Sequence, residues 1–216
     1  MWKTLAKKGL SILCDFCFPT FCLICQEKIS QAPLCVVCAR RIELISLHDR
    51  CRFCFQKIDR ITNKCLCLGP KLLSSFSFAA ERFEPMLSLA SASISCVDSL
   101  EMIASLMVVQ LCKEEGFEIH TLVPVPDDHI DHAHLATFMA QLLSCEVTEA
   151  LEKKLFLLTK YGLTREERFD YKKNAIVSDR NVVMVSVYAL DVHQRQRIEK
   201  NFGDSGANHL RFFSFL

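Results

Sequence analysis

Ten of the thirteen cysteines of this 216-residue chain (Cys14, Cys17, Cys22, Cys25, Cys35, Cys38, Cys51, Cys54, Cys65 and Cys67) fall before residue 70, and they fall in short-spaced pairs. Cys22-Leu23-Ile24-Cys25 is followed after nine residues by Cys35-Val36-Val37-Cys38. Two intervening residues let both sulfurs of a pair reach one tetrahedral ion, and a loop of about ten residues brings the second pair round. The spacing therefore predicts one four-cysteine zinc site. Cys51-Arg52-Phe53-Cys54 opens a second set, completed after ten residues by Cys65-Leu66-Cys67, where the spacing has shrunk to one residue. A second zinc site is expected there, with a tighter turn. Four thiolates fill a tetrahedral shell and leave no position for water, so both zincs are expected to be structural.

Cys14 and Cys17 form a further pair that could replace one of those knuckles or cluster with Cys22 and Cys25. An iron–sulfur cluster is disfavoured, because four residues separate Cys17 from Cys22 where known runs have two or three. A thioredoxin-like role for a single pair would call for a βαβ pattern, and none precedes residue 70.

Metal rather than disulfide is the expected use of these thiols, because nothing at the start reads as an export signal. Lys3, Lys7 and Lys8 precede an apolar stretch, but Asp15 interrupts it and no small-residue cleavage site follows. An amphipathic helix over Met1–Leu13, with Trp2, Leu5, Leu10 and Leu13 inward, fits better. A reducing, cytoplasmic setting is expected. No apolar run reaches the roughly 18 residues a spanning helix requires, so no membrane insertion is expected.

Charge divides at the same place. Residues 1–70 hold eleven Lys/Arg against five Asp/Glu, a net of +6, and the remainder hold 15 against 20, a net of −5. A basic head invites a nucleic-acid partner. Each tetrathiolate zinc subtracts about two charges, which weakens the invitation.

Gly69-Pro70 marks the expected boundary between a cysteine-rich region (1–70) and a second domain (71–216) in which strands and helices alternate. Strands are expected at Phe76–Ala80, Ile119–Val125, Lys154–Thr159, Asn181–Tyr188 and Leu210–Leu216. Helices are expected at Val97–Glu115, His132–Ser144, Thr164–Asn174 (highly charged) and Asp191–Asn201. That alternation implies an α/β fold with a mainly parallel sheet covered on both faces. Cys96, Cys112 and Cys145 are expected to be buried as small apolar residues. The run Asp127-Asp128-His129-Ile130-Asp131-His132, with His134, could be imagined as a metal site; a solvated loop entering a helix N-terminus is the simpler reading.

Two cysteine-knuckle pairs ahead of an α/β domain, Val123-Pro124-Val125-Pro126, Leu163-x-x-x-x-Arg168 with Asn174 following, and the lead-in Phe18-Pro19-Thr20-Phe21-Cys22 together resemble the ComF family. The resemblance covers nearly the whole chain. It implies a double zinc ribbon and a domain similar to type I phosphoribosyltransferases, which use phosphoribosyl pyrophosphate and magnesium, and a role in handling DNA during competence.

Such an enzyme places two adjacent carboxylates after its penultimate core strand, then a Thr/Gly-rich turn whose N–H groups cradle the 5′-phosphate. Here those positions read Ser186-Val187, then Tyr188-Ala189-Leu190-Asp191-Val192-His193, without a glycine. The Arg-Gly-x-Asn-Gln run expected after Pro-Val-Pro is also replaced. Asp191 could hold a sugar hydroxyl, with Ser186, Val187 and His193 at the degenerate loop positions, or Asp191 could simply cap a helix.

The expectation is therefore an accessory protein of the DNA-uptake type, catalytically impaired. Arg40, Arg41, Arg50, Arg52, Lys57 and Arg60 would contact single-stranded DNA or a protein of the competence machinery, with Phe53 and Phe55 stacking on bases or buried in the ribbon. The alternatives are a working phosphoribosyltransferase or hydrolase of altered site that uses Asp191, and a zinc-stabilised interaction scaffold.

Overall fold

A computed structural model describes residues 20–29, 34–42, 44–45, 50–51, 58, 74–80, 84–113, 118–158, 164–172, 175 and 177–216. The helix expected at Met1–Leu13, the boundary at Gly69-Pro70, and Cys14, Cys17, Cys54, Cys65 and Cys67 lie outside these residues, as do Arg52, Phe53, Phe55, Lys57, Arg60, Leu163 and Asn174.

The cysteine-bearing segment opens with a two-stranded antiparallel ribbon, β1 (Thr20–Phe21) against β2 (Lys28–Ile29), followed by the short helix α1 (Val36–Arg40). The α/β part follows as β3 (Ser74–Phe78), α2 (Glu84–Ala92), α3 (Val97–Cys112), β4 (Thr121–Pro124), α4 (His132–Leu143), β5 (Glu146–Val147), β6 (Leu151–Leu158), β7 (Thr164–Tyr171), β8 (Asn181–Ser186), α5 (Val192–Asp204) and β9 (His209–Ser214). Five strands form one sheet in the order β3-β9-β8-β4-β5, every pairing parallel. The expected α/β fold with a mainly parallel sheet is thus present.

Alternation along each strand divides the core in two, because successive side chains leave opposite faces of a sheet. Leu122, Val183, Val185 and Phe213 face one layer, with Met86, Leu89, Ile103, Met107, Leu135 and Met139 from α2, α3 and α4. Val123, Val182, Met184, Leu210 and Phe212 face the other, with Ile198 and Phe202 of α5. Both faces of β8 are buried, which is why Val182-Val183-Met184-Val185 is uninterrupted by polar residues.

The segment 164–171 is a strand, not the expected charged helix. It pairs antiparallel with β6 over its whole length and forms a two-stranded ribbon separate from the main sheet. Lys154 explains part of the preference: its ammonium lies 2.7 Å from Glu152 and 3.1 Å from Asp170 on the facing strand, an arrangement that only the paired strands create. At the ribbon's base Phe169 is buried, and Tyr171 meets Phe202 edge-on at 5.3 Å, docking the ribbon on α5. Helix α2, whose Met86, Leu89 and Ala90 are fully buried, was not anticipated. Cys112 is exposed at the end of α3, and Cys96 and Cys145 are only half-buried, so the three are not the buried apolar residues expected.

The cysteine-bearing segment is fastened to the α/β part at two places. Leu23 and Ile42 pack against the α/β core, and Met102 of α3 packs against the small cluster of Cys22, Leu34 and Cys38. Gln110, fully buried on the same helix, donates from Nε2 to the carbonyl of Ile45 at 2.8 Å, while the Ile45 N–H bonds Ala79 just beyond β3. Ile45 is thus held by hydrogen bonds through both its carbonyl and its N–H.

Candidate functional site

Two features carry the chemistry-bearing residues, a sulfur cluster in the front segment and a crevice at the carboxyl ends of β4 and β8. The cluster follows from two local turns. Cys22 follows β1, and its backbone bonds Glu27 and Gln26 across a tight loop in which Gln26 takes a left-handed φ of 58°. Cys35 sits at the start of α1, where its sulfur accepts the Cys38 N–H at 3.3 Å, and the Cys35 N–H in turn reaches the Cys22 sulfur at 3.3 Å. The sulfurs of Cys22, Cys25, Cys35 and Cys38 all lie within 4.8 Å of one another, and those of Cys25 and Cys35 are 3.6 Å apart. A tetrahedral zinc with sulfurs at ~2.3 Å sets them ~3.8 Å apart.

Electrostatics favour the same occupant. Burial pushes the Cys22 thiol up, but the backbone N–H groups of Cys25, Cys35 and Ile24 outweigh it and draw it down to about 6. At Cys38 burial, then the three neighbouring thiols, push the group up to about 12. Four thiolates this close repel one another, and a divalent cation at their centre relieves the conflict. The donor set fits one zinc ion with a closed, structural shell. Of the second expected set only Cys51 lies among the described residues, where it is buried.

The crevice lies where the order of strands reverses. From β4 the chain runs outward to β5, and from β8 it runs the other way to β9, so their carboxyl ends border the switch point at which open α/β sheets bind ligands. A cavity of about 470 Å³ opens beside this point, at the end of β4 and away from β8, lined by Pro124–Ala133, Glu149, Leu151 and Lys172. Its carboxylates are already engaged. Asp127 Oδ1 accepts the N–H groups of His129 and Ile130 at 2.8 and 2.9 Å, and Asp131 Oδ1 accepts that of His134 at 2.9 Å as the cap of α4. Asp128 pairs with Lys153 at 2.9 Å and Glu149 with Lys172 at 3.1 Å.

His132 departs from the solvated loop expected for this run. Its side chain is buried between the β4 and β8 turns, where Nδ1 lies 2.6 Å from the Val125 carbonyl and Nε2 lies 3.1 Å from the Val187 N. A backbone N–H can only donate and a carbonyl can only accept, so the ring is neutral with its proton on Nδ1. Burial, opposed by the Val125 carbonyl and by Asp127 and Asp131, holds its pKa below the ordinary histidine value. His134 instead faces Glu101 of α3 at 3.2 Å. Among the described residues the histidines and aspartates of 127–134 do not converge as metal ligands; the sulfur quartet is the group that does.

The end of β8 and the turn after it hold the positions that the family resemblance assigns to a phosphoribosyl ligand. Ser186 is buried and shares a hydrogen bond with Ser214 across β8 and β9 at 2.9 Å. The Val187 N–H is held by His132, its carbonyl accepts the Leu216 N–H, and the Ala189 N–H bonds the Leu216 carbonyl at 2.9 Å. Asp191 caps α5 and is exposed, as is His193. Ser186, Val187, Asp191 and His193 lie at the end of β8 and in the turn that follows it, and His132, 55 residues from Val187, joins them only through the order of the strands.

No family model matches this chain, and no curated protein does. Among solved structures it is similar to a hypothetical protein from Neisseria gonorrhoeae with bound ppGpp (9% identity, 55% of this chain and 66% of that one, TM-score 0.45). It is also similar to glutamine phosphoribosylpyrophosphate amidotransferase from B. subtilis complexed with ADP and GMP (17% identity, 60% and 30%, TM-score 0.43). A third is purine phosphoribosyltransferase from Pyrococcus horikoshii Ot3 (8% identity, 66% and 77%, TM-score 0.37). The chain spans just under two thirds of the length of the first of these proteins and less than a third of the second.

Proposed function

We propose that this chain is a zinc-stabilised accessory protein of the DNA-uptake type, of ComF-like build, whose phosphoribosyltransferase-like frame binds partners rather than transferring phosphoribosyl groups. The observation that carries the reading is the bridge from Val125 through His132 to Val187, which fills the switch point from within. A 5′-phosphate needs several N–H donors converging on its oxygens. In this turn the N–H groups of Val187, Ala189, Asp191 and Gln194 already have partners inside the protein. The neighbouring loop adds Asp127 and Asp131, whose charge opposes an incoming anion.

Nucleic acid as the partner is supported by the front segment. Arg40 and Arg41 are exposed at the end of α1, beside exposed Val36 and Val37. A row of cations next to an apolar surface suits a single strand, whose phosphates and base faces can be contacted together. The second zinc site expected at Cys51, Cys54, Cys65 and Cys67 belongs to the same reading.

Calorimetric titration of the zinc-loaded chain with phosphoribosyl pyrophosphate and magnesium, beside fluorescence titration with a labelled single-stranded oligonucleotide, tests both halves. The expected result is no saturable heat with the sugar phosphate and oligonucleotide binding that weakens steeply with salt. Saturable micromolar binding of phosphoribosyl pyrophosphate would overturn the first half, and absent or salt-insensitive oligonucleotide binding the second.

A further inference from the structure

We propose that His132 is a proton-released latch on the switch-point crevice: in its neutral form it ties the β4 turn to the β8 turn, and taking up a proton from solvent frees the Val187 N–H and opens the crevice locally. The geometry dictates the direction. Neutral His132 with its proton on Nδ1 donates to the Val125 carbonyl at 2.6 Å, leaving the Nε2 lone pair as the acceptor for Val187. A proton added to Nε2 takes up that lone pair, so two N–H groups then face each other across 3.1 Å and the contact becomes repulsive. The Val125 bond survives, because Nδ1 carries its proton in both forms. The break therefore falls on one side of the bridge, between the ring and β8.

The surroundings decide whether the charged ring has somewhere to go. Asp127 and Asp131, on the loop that carries His132, favour the imidazolium, and Asp128 and Glu149 line the same cavity with His129 and Lys172. Asp128 is neutralised by Lys153 and Glu149 by Lys172, which leaves Asp127 and Asp131 as the nearest negative partners. On the β8 side His132 meets the backbone of Val187, whose side chain is fully buried. Charge thus draws the protonated ring toward its own loop and away from β8, into a cavity already open on that side. Histidine is suited to this role because its ordinary titration lies close to physiological pH.

The inference adds regulation to the closed-crevice reading above but is read without any phosphoribosyl ligand. Binding of that ligand would therefore defeat the earlier reading and leave this one standing. The test is amide hydrogen exchange and long-range proton–nitrogen NMR on the full-length, zinc-loaded, ¹⁵N-labelled chain from pH 7.5 to pH 5. At pH 7.5 the His132 ring should show a protonated Nδ1 and a bare Nε2. Between pH 6.5 and 5, the protection of Val187, corrected for intrinsic exchange, should fall about tenfold more than that of Val183 in the middle of β8, equivalent to about 1.4 kcal/mol. In His132→Asn, whose side chain does not titrate, the Val187-to-Val183 ratio should be flat across the range. A ring protonated on Nε2 at pH 7.5, or Val187 and Val183 losing protection in parallel, would overturn the latch, and the wild-type chain alone decides this should the variant fail to fold.

Discussion

Asp191 and Gln194 hold each other at the start of α5: the Asp191 carboxylate accepts the Gln194 N–H at 2.8 Å, and the Gln194 side chain accepts the Asp191 N–H at 3.2 Å. This reciprocal pair satisfies two of the N–H groups that a helix start leaves unpaired. Asp191→Ala should therefore lower stability by about 1 kcal/mol, read as a shift in urea midpoint with an unchanged slope. A transferase that relied on Asp191 would, beyond this loss of stability, lose turnover of phosphoribosyl pyrophosphate in the folded variant.

Replacing one sulfur of the front quartet tests what the cluster is for. Cys38→Ser should reduce zinc content by one ion per chain by elemental analysis, and should loosen the packing of Met102 on the cluster of Cys22, Leu34 and Cys38. The α/β sheet, with its own two-layer core, should keep its far-ultraviolet dichroism. Unchanged zinc content in this variant would remove Cys38 from the ligand set.

The bridge at His132 has a thermodynamic signature of its own. Burial holds the folded pKa below the ordinary 6.5, so the unfolded chain takes the proton first as pH falls. The stability it confers is complete above 6.5 and is lost progressively below it. His132→Ala should cost about 2–4 kcal/mol at pH 7.5, because the Val187 N–H and Val125 carbonyl both lose a buried partner. The difference from wild type should shrink toward pH 5, which a pair of denaturation series at the two pH values would measure.

Exposed Arg40 and Arg41 offer the clearest handle on a nucleic-acid partner. With both replaced by alanine, the dependence of single-strand affinity on salt should flatten by about 1–1.5 in log–log slope, as two phosphate contacts disappear. Fluorescence anisotropy at three salt concentrations suffices. An unaltered slope would move the strand away from α1.

Much of this molecule could be read in one dimension, and the parts that could not share a cause. Cys22, Cys25, Cys35 and Cys38 are brought together by turns of a few residues, so spacing alone foretold the quartet. Val182–Val185 declared a strand buried on both faces, and Asp191 sits at the start of its helix as its residue type suggests. The strand at 164–171 was misread because charged residues favour helices in isolation, whereas its conformation is imposed by pairing with 151–158. The aspartate-rich run after Pro126 is the exposed loop into a helix start that its residues suggest, Asp131 being the cap, and only His132 departs from it. Its polarity is real, but His132 is buried by Val187, a residue that the sheet and not the sequence makes its neighbour.

The clasp between Gln110 and Ile45 makes the two parts of the chain mechanically interdependent. A pull on the metal-bearing front is delivered through Ile45 to Ala79 and so to the outermost strand, β3, while the same helix that anchors the pull packs on α4, which covers β4. Loss of the ion would thus be felt first at the sheet's edge, where β3, paired among the described residues with β9 alone, has the least to resist it.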